Sequence, residues 1–143
     1  VRFPEFDYWL AKVTTARWRE LHSPSSFVDL RYLLNSEVGL ELAPPQYVVG
    51  YACCYVHADK EQEVQLTVGS DDGNKVWLNH QLLGEYPTHG AAAIDKSKYP
   101  VRLKEGRNVL VVKVDQSFGG YGFYLRFLKD GNPVTDLRVK LDQ

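Results

Sequence analysis

Two adjacent carboxylates, Asp71 and Asp72, lie in the turn sequence Ser70-Asp71-Asp72-Gly73. Neighbouring like charges repel, so both stay ionised only where a cation or backbone amides offset them. Hard oxygen donors of this kind suit Ca2+. Asp115 and Asn79 add oxygen donors if the loops at the strand ends converge. The competing reading needs no metal: Ser-Asp-Asp-Gly is a turn in which aspartate caps local amides. No EF-hand spacing is present to favour calcium over that turn.

A second group is aromatic. Sugars present C–H faces, so a planar ring beside hydroxyl-binding side chains makes a carbohydrate subsite. Tyr86, Tyr99, Phe118 and Tyr121 fall in expected loops. Trp77 has the opposite parity to Val76 and Leu78, which fits either a sugar platform or packing on a second sheet face. Phe118 and Tyr121 read equally as an apolar plug closing the fold. Their neighbours Ser117, Gly119 and Gly120 let a ligand approach the backbone. His89, in Tyr86-Pro87-Thr88-His89-Gly90, is expected near Asp71, where it either bonds a sugar hydroxyl or is merely solvated. The other histidines, His22, His57 and His80, show no metal-ligand spacing. Cys53 and Cys54 are adjacent, point to opposite faces in a strand, and read as small buried hydrophobes.

Several chemistries are disfavoured. There is no Gly-x-Ser-x-Gly elbow and no Gly-rich phosphate loop opening a helix. No acid stands in an apolar setting that would mark a glycosidase pair. The 17 Lys and Arg against 18 Asp and Glu leave a net charge of −1, with no basic surplus for a nucleic-acid backbone. The longest apolar run, Tyr47–Val56, is too short to cross a bilayer. The expectation is therefore a non-enzymatic binding domain with no nucleic-acid or membrane partner.

What positions these residues is a period of two. In Gln62–Gly69, Val64, Leu66 and Val68 share one face and Glu63, Gln65 and Thr67 the other. Lys75–Leu78 alternates and leads through Asn79-His80 into Gln81–Gly84, a hairpin. Arg107–Val114 is a Val-rich run fitting a strand buried on both faces. Gly122–Leu128 alternates, and Lys129–Pro133 is a turn cluster. Tyr47–His57 is a further strand, with shorter ones expected at Ala16–Leu21 and Phe27–Leu33, although Leu30–Leu34 also fits a helical turn. Phe3, Phe6, Tyr8 and Trp9 suggest an N-terminal strand. No helical stripe appears. About eight to ten short strands in a chain of 143 residues predict one all-β domain, an antiparallel β-sandwich, spanning 1–143. The sequence contains no Met and opens on no signal peptide, so a domain excised from a larger protein, or a processed form, is expected.

The stretch Val68-Gly-Ser-Asp-Asp-Gly-Asn-Lys-Val-Trp-Leu-Asn79 resembles galactose-binding-like β-jelly-roll modules of bacterial carbohydrate-active proteins, and is similar to PA14-type lectin domains. Leu103–Val114 resembles their Leu-x-x-Gly-x-Asn-x-Leu strand, and Gly119–Phe127 their closing Gly-x-Gly-Phe strand. Trp77–Gly84 is similar to the sugar-binding jelly roll of family 2 glycosidases, with Asn79-His80 where Asn-Gly is usual. The resemblance covers about residues 47–128. It implies a jelly roll and a calcium held by Asp71 and Asp72; Asp115 is a third ligand expected only from the convergence of the strand-end loops. The functional expectation is a carbohydrate-binding module that targets an attached enzyme to a glycan, in an extracellular or periplasmic setting. Its site residues would be Asp71, Asp72, Trp77, Asn79, Tyr86, His89, Phe118 and Tyr121. The alternative is an accessory sandwich that packs against a neighbouring catalytic domain and binds no sugar.

Overall fold

The computed structural model describes residues 18, 20–31 and 47–141. The expected N-terminal strand lies outside them. Of Ala16–Leu21, only Trp18, Glu20 and Leu21 are described, and none is in a strand. Ten strands follow in chain order: β1 (Phe27–Asp29), β2 (Val48–Ala58), β3 (Gln62–Asp71), β4 (Asn74–Leu78), β5 (Gln81–Tyr86), β6 (Ser97–Leu103), β7 (Gly106–Gln116), β8 (Gly122–Lys129), β9 (Asn132–Pro133) and β10 (Leu137–Lys140). The strand expected over Phe27–Leu33 is shorter, stopping at Asp29.

The strands form two antiparallel sheets facing each other, an all-β sandwich. The first sheet has the order β1-β8-β3-β6, with β9 beside β8, and the second has β10-β2-β7-β4-β5. Alternation decides what each face touches. Val64, Leu66 and Val68 of β3 and Phe123 and Phe127 of β8 meet Val56 of β2, Val76 of β4 and Leu110, Val112 and Val114 of β7 in one buried core. Each fully buried Val, Leu or Phe contributes roughly 1.5–3 kcal/mol relative to exposure. β7 runs down the middle of its sheet, and Val111 on its outer face is also only 7% exposed. The sequence expectation of a strand covered on both faces holds at Val111 alone, since on the same outer face Arg107 is exposed and Val109 and Lys113 are half-buried. Cys53 and Cys54 are free thiols; burial, and less the neighbouring Cys53, pushes Cys54 up to about 12.

The antiparallel register gives the sandwich two ends. At one, the loop end, gather the β3–β4, β5–β6 and β7–β8 connections. At the other, the far end, lie the tight turns. The β4–β5 hairpin turns at the far end through Asn79 (φ 49°) and His80 (φ 69°). Both are left-handed, as a two-residue type I′ turn requires, and the twist of that turn suits the strands enough for histidine to accept it. Beside it, Asn108 of β7 is fully buried. Its Nδ2 donates to the carbonyls of Lys104 (2.9 Å), Val56 (3.2 Å) and Gly106 (3.2 Å). Its Oδ1 accepts from the Lys104 N–H (3.0 Å) and from Asn79 Nδ2 (2.9 Å). One side chain thus ties β2, the β6–β7 turn and the β4–β5 turn together.

Candidate functional site

At the loop end Asp72 is 4% exposed, and its carboxylate is committed to two loops. Oδ1 accepts from the Gly90 N–H at 2.7 Å and Oδ2 from the Ser117 N–H at 2.9 Å. The Asp72 backbone continues the ladder, donating to the Asp115 carbonyl at 3.0 Å, while Asp115 N–H donates to Gly73. Beneath it, Ser70 Oγ donates to the Asp72 carbonyl (2.6 Å) and Asn74 Nδ2 donates to Ser70 Oγ (2.7 Å). Backbone amides do answer the Asp72 carboxylate, but they come from two distant loops and not, as the turn reading expects, from the Ser70–Gly73 turn itself.

Asp71 points elsewhere, since a Cβ on Gly120 would lie 2.6 Å from its Oδ2. Burial first, and the charge of Asp72 second, raise the Asp71 carboxyl above its ordinary value, with Lys96 opposing. Asp115 lies on the outer face of β7, its carboxylate folded over Gly73, where a Cβ would meet Oδ2 at 2.7 Å. The three carboxylates therefore diverge. Among the described residues no group of three or more His, Cys, Asp and Glu side chains is placed to hold a metal ion. The donor set does not fit the six to eight oxygens that calcium takes.

The β5–β6 loop is clamped onto the outer face of the first sheet. A Cβ on Gly69 would overlap the Ala93 carbonyl, so only glycine lets the loop lie this close. Lys96 Nζ donates to the Ala91 carbonyl at 2.7 Å. Arg126 of β8 holds Asp95 through Nε to Oδ1 at 2.9 Å and through a second contact from Nη2 to Oδ2. Those hydrogen bonds, above all, lower the Asp95 carboxyl from 3.8 to about 2. A depressed folded value means that the pair stabilises above the unfolded value and that this is lost as pH falls through the folded one. Asp71, whose value is raised, acts with the opposite sign: it stabilises at low pH and loses that as pH rises. Arg126→Gln is therefore expected to flatten the loss of stability between about pH 4 and pH 2 in urea unfolding. A variant with the wild-type acid slope would show that another group is responsible.

The expected site residues separate on this frame. Tyr86 is 38% exposed at the loop-end terminus of β5, opposite Asn74. Phe118 is 68% exposed in the β7–β8 connection. His89 is exposed, and its Nδ1 lies 3.2 Å from Ser117 Oγ. These three gather at the loop end with Asp71 and Asp72. Tyr121 does not present itself there: it is 2% exposed, fills the core beside Gly50 and Leu30, and donates its hydroxyl to the Val114 carbonyl at 3.3 Å. It is the plug, and burial raises its phenol. Asn79 is also displaced from the site. Its Oδ1 accepts from the Val109 N–H at 2.9 Å. Val109 and Asp115 are six positions apart along β7, so Asn79 is about 20 Å from Asp72 at ~3.3 Å per residue. Tyr99 is in strand β6, not a loop, with its ring against Gly84. Trp77 is half-buried on the outer face of β4, opposite Val111 and Leu82.

Sequence reasoning missed Tyr47. It reads as the start of an apolar strand, yet it precedes β2, is 69% exposed and has a φ of 52°. Its N–H donates to the Ser117 carbonyl at 3.0 Å, which places it beside Phe118. Pro44-Pro45 just upstream was the available sign that the strand had not yet begun. Below this rim, Gln116 is 3% exposed, and neither atom of its amide has a hydrogen-bond partner. Asn74 Oδ1 is likewise buried and unpartnered. A separate concavity of about 660 Å³ between Glu63–Gln65 of β3 and the turn Leu128–Gly131 is lined by no aromatic ring.

Comparisons with protein-family models, with curated proteins and with solved structures find no match.

Proposed function

We propose that the chain is a non-catalytic carbohydrate-binding module of jelly-roll type whose recognition surface is the loop end. The observation that carries this reading is the exposure of Tyr47 and Phe118 on adjoining segments, with His89 hydrogen-bonded to Ser117 between polar loops. Exposed rings of this size are costly to leave in water and suit the apolar face of a sugar. His89, Ser117 and Asp71 supply donors and acceptors for hydroxyls. Asp72 serves as a positioning residue, because both its oxygens are taken by backbone N–H groups. That same commitment argues against its use as a catalytic acid or base. Calcium has no part in this proposal. In a larger protein the module would hold an attached enzyme near its polysaccharide, raising the effective concentration of substrate, in an extracellular or periplasmic setting.

Phe118→Ala and Tyr47→Ala test this. Each is expected to weaken retention in affinity gels containing neutral polysaccharides about tenfold, and to leave stability within about 0.5 kcal/mol, as exposed substitutions do. Retention unchanged in both variants would move the site away from the loop end. No retention of the wild-type chain by any glycan would favour the accessory-sandwich reading instead.

A further inference from the structure

The far end of the second sheet carries a row of cations on its outer face. Val56 and Ala58 of β2 face the core, so His57 faces outward. Its Cα partners are Arg107 on β7 and Arg138 on β10. Directly opposed residues share a face, so the two arginines flank the imidazole. In the next row Tyr55 stands between Val109 and Lys140. Arg107 packs over the Tyr55 ring, its Cζ 5.0 Å from the centroid, which fixes the guanidinium along the sheet. Arg107, Arg138 and Lys140 are exposed. Arg138 shares one hydrogen bond with Asp59 Oδ1 at 2.6 Å, and its side chain remains 61% exposed. His57 Nε2 is shielded from solvent and has no hydrogen-bond partner. Asp59, ion-paired with Arg138, offsets one of the three cationic charges, which leaves a local positive surplus on a chain whose net charge is −1.

We propose that this row binds the sulfate or carboxylate groups of an acidic polysaccharide. Arg107 and Arg138 stand on strands either side of β2, about 10 Å apart at the usual strand spacing; Arg107 leans toward Tyr55 and Arg138 toward Asp59, so the two suit successive anionic groups of one polymer. Guanidinium forks match the planar or tetrahedral oxygen arrays of carboxylate and sulfate. Lys140 extends the patch one row along, as an extended polyanion requires. The surface is distinct from the loop end. It rests on the carbohydrate reading only in assigning the anion to a polysaccharide.

Affinity electrophoresis of the full chain tests it, with dextran sulfate, polygalacturonate or unsubstituted dextran in the gel and inorganic phosphate as a small-anion competitor. The wild-type chain is expected to be retarded by at least one charged polymer. The double variant Arg107→Gln/Arg138→Gln is expected to bind that polymer at least tenfold more weakly at unchanged Tm. Lys98→Gln/Lys129→Gln removes the same charge from the other sheet and is expected to bind as wild type. Phe118→Ala is also expected to keep binding, so failure at the loop end would leave this result standing. No retardation by either charged polymer would overturn the proposal, as would equal losses in the two double variants, which would show that net charge alone drives binding. Abolition by millimolar phosphate would also overturn it, pointing to a small free anion.

Discussion

Asn108→Ala is expected to lower the unfolding free energy by about 3–5 kcal/mol, the upper range for a single substitution. The side chain is fully buried and makes five hydrogen bonds to three separate segments. Truncation leaves the Lys104 N–H and several carbonyls to find new partners, each orphan costing about 1–3 kcal/mol where water does not reach it. It also opens a cavity next to the β4–β5 turn. Asn108→Asp does not repair the loss, because it sets a carboxylate against three carbonyl oxygens. Urea unfolding followed by tryptophan fluorescence measures both. A loss below about 1 kcal/mol in Asn108→Ala would mean that the far end is held by something other than this amide.

The second large effect is at the opposite end. Asp72→Ala is expected to cost about 2–4 kcal/mol, because it strands the Gly90 and Ser117 N–H groups and removes two charge-assisted hydrogen bonds. Amide exchange at Gly90 and Ser117 is expected to quicken more than exchange in the β3–β8 ladder. Glycan binding is expected to fall as well, although Tyr47, His89 and Phe118 are untouched, since their loops lose a common anchor. Asp72→Asn keeps one acceptor and is expected to lose roughly half as much. EDTA is expected to leave the Tm of the wild-type chain unchanged, because backbone amides satisfy the Asp72 carboxylate. Stability that tracked calcium and not Asp72 would contradict this account of the loop end.

The legible part of this molecule was its alternation. Val64, Leu66 and Val68, or Leu110, Val112 and Val114, announce an inward face because side chains on an unbulged strand alternate between its faces. Strands β2 to β5, β7 and β8 follow from such runs; β6, β9 and β10 do not, and Tyr99 of β6 reads along the chain as a loop residue. Asp71 and Asp72 were also legible as a pair whose charge needs an answer, and one of the two answers considered, backbone amides, is realised at Asp72. What the sequence did not disclose is which end of the sandwich each loop residue reaches. Asn79 closes the recognisable motif only seven positions after Asp72, yet β4 carries it the full height of the sheet away. Tyr121 and Phe118 flank the same two glycines, and local sequence gives both the character of loop aromatics. Only the path of the chain into β8 turns Tyr121 inward, onto Gly50 and Val114. Tyr47 shows the converse, an apolar neighbourhood in sequence and an exposed ring in space. The Arg107–His57–Arg138 row is invisible along the chain because its members come from three strands and meet only through register.

The most direct test of the loop end as recognition surface is backbone amide NMR of the 15N-labelled chain titrated with neutral oligosaccharides. The account predicts shift changes concentrated at Tyr47, Tyr86, His89 and Ser117–Gly120, with the β4–β5 turn at Asn79-His80 unmoved. Shifts confined to other surfaces, or none with any neutral sugar, would contradict it.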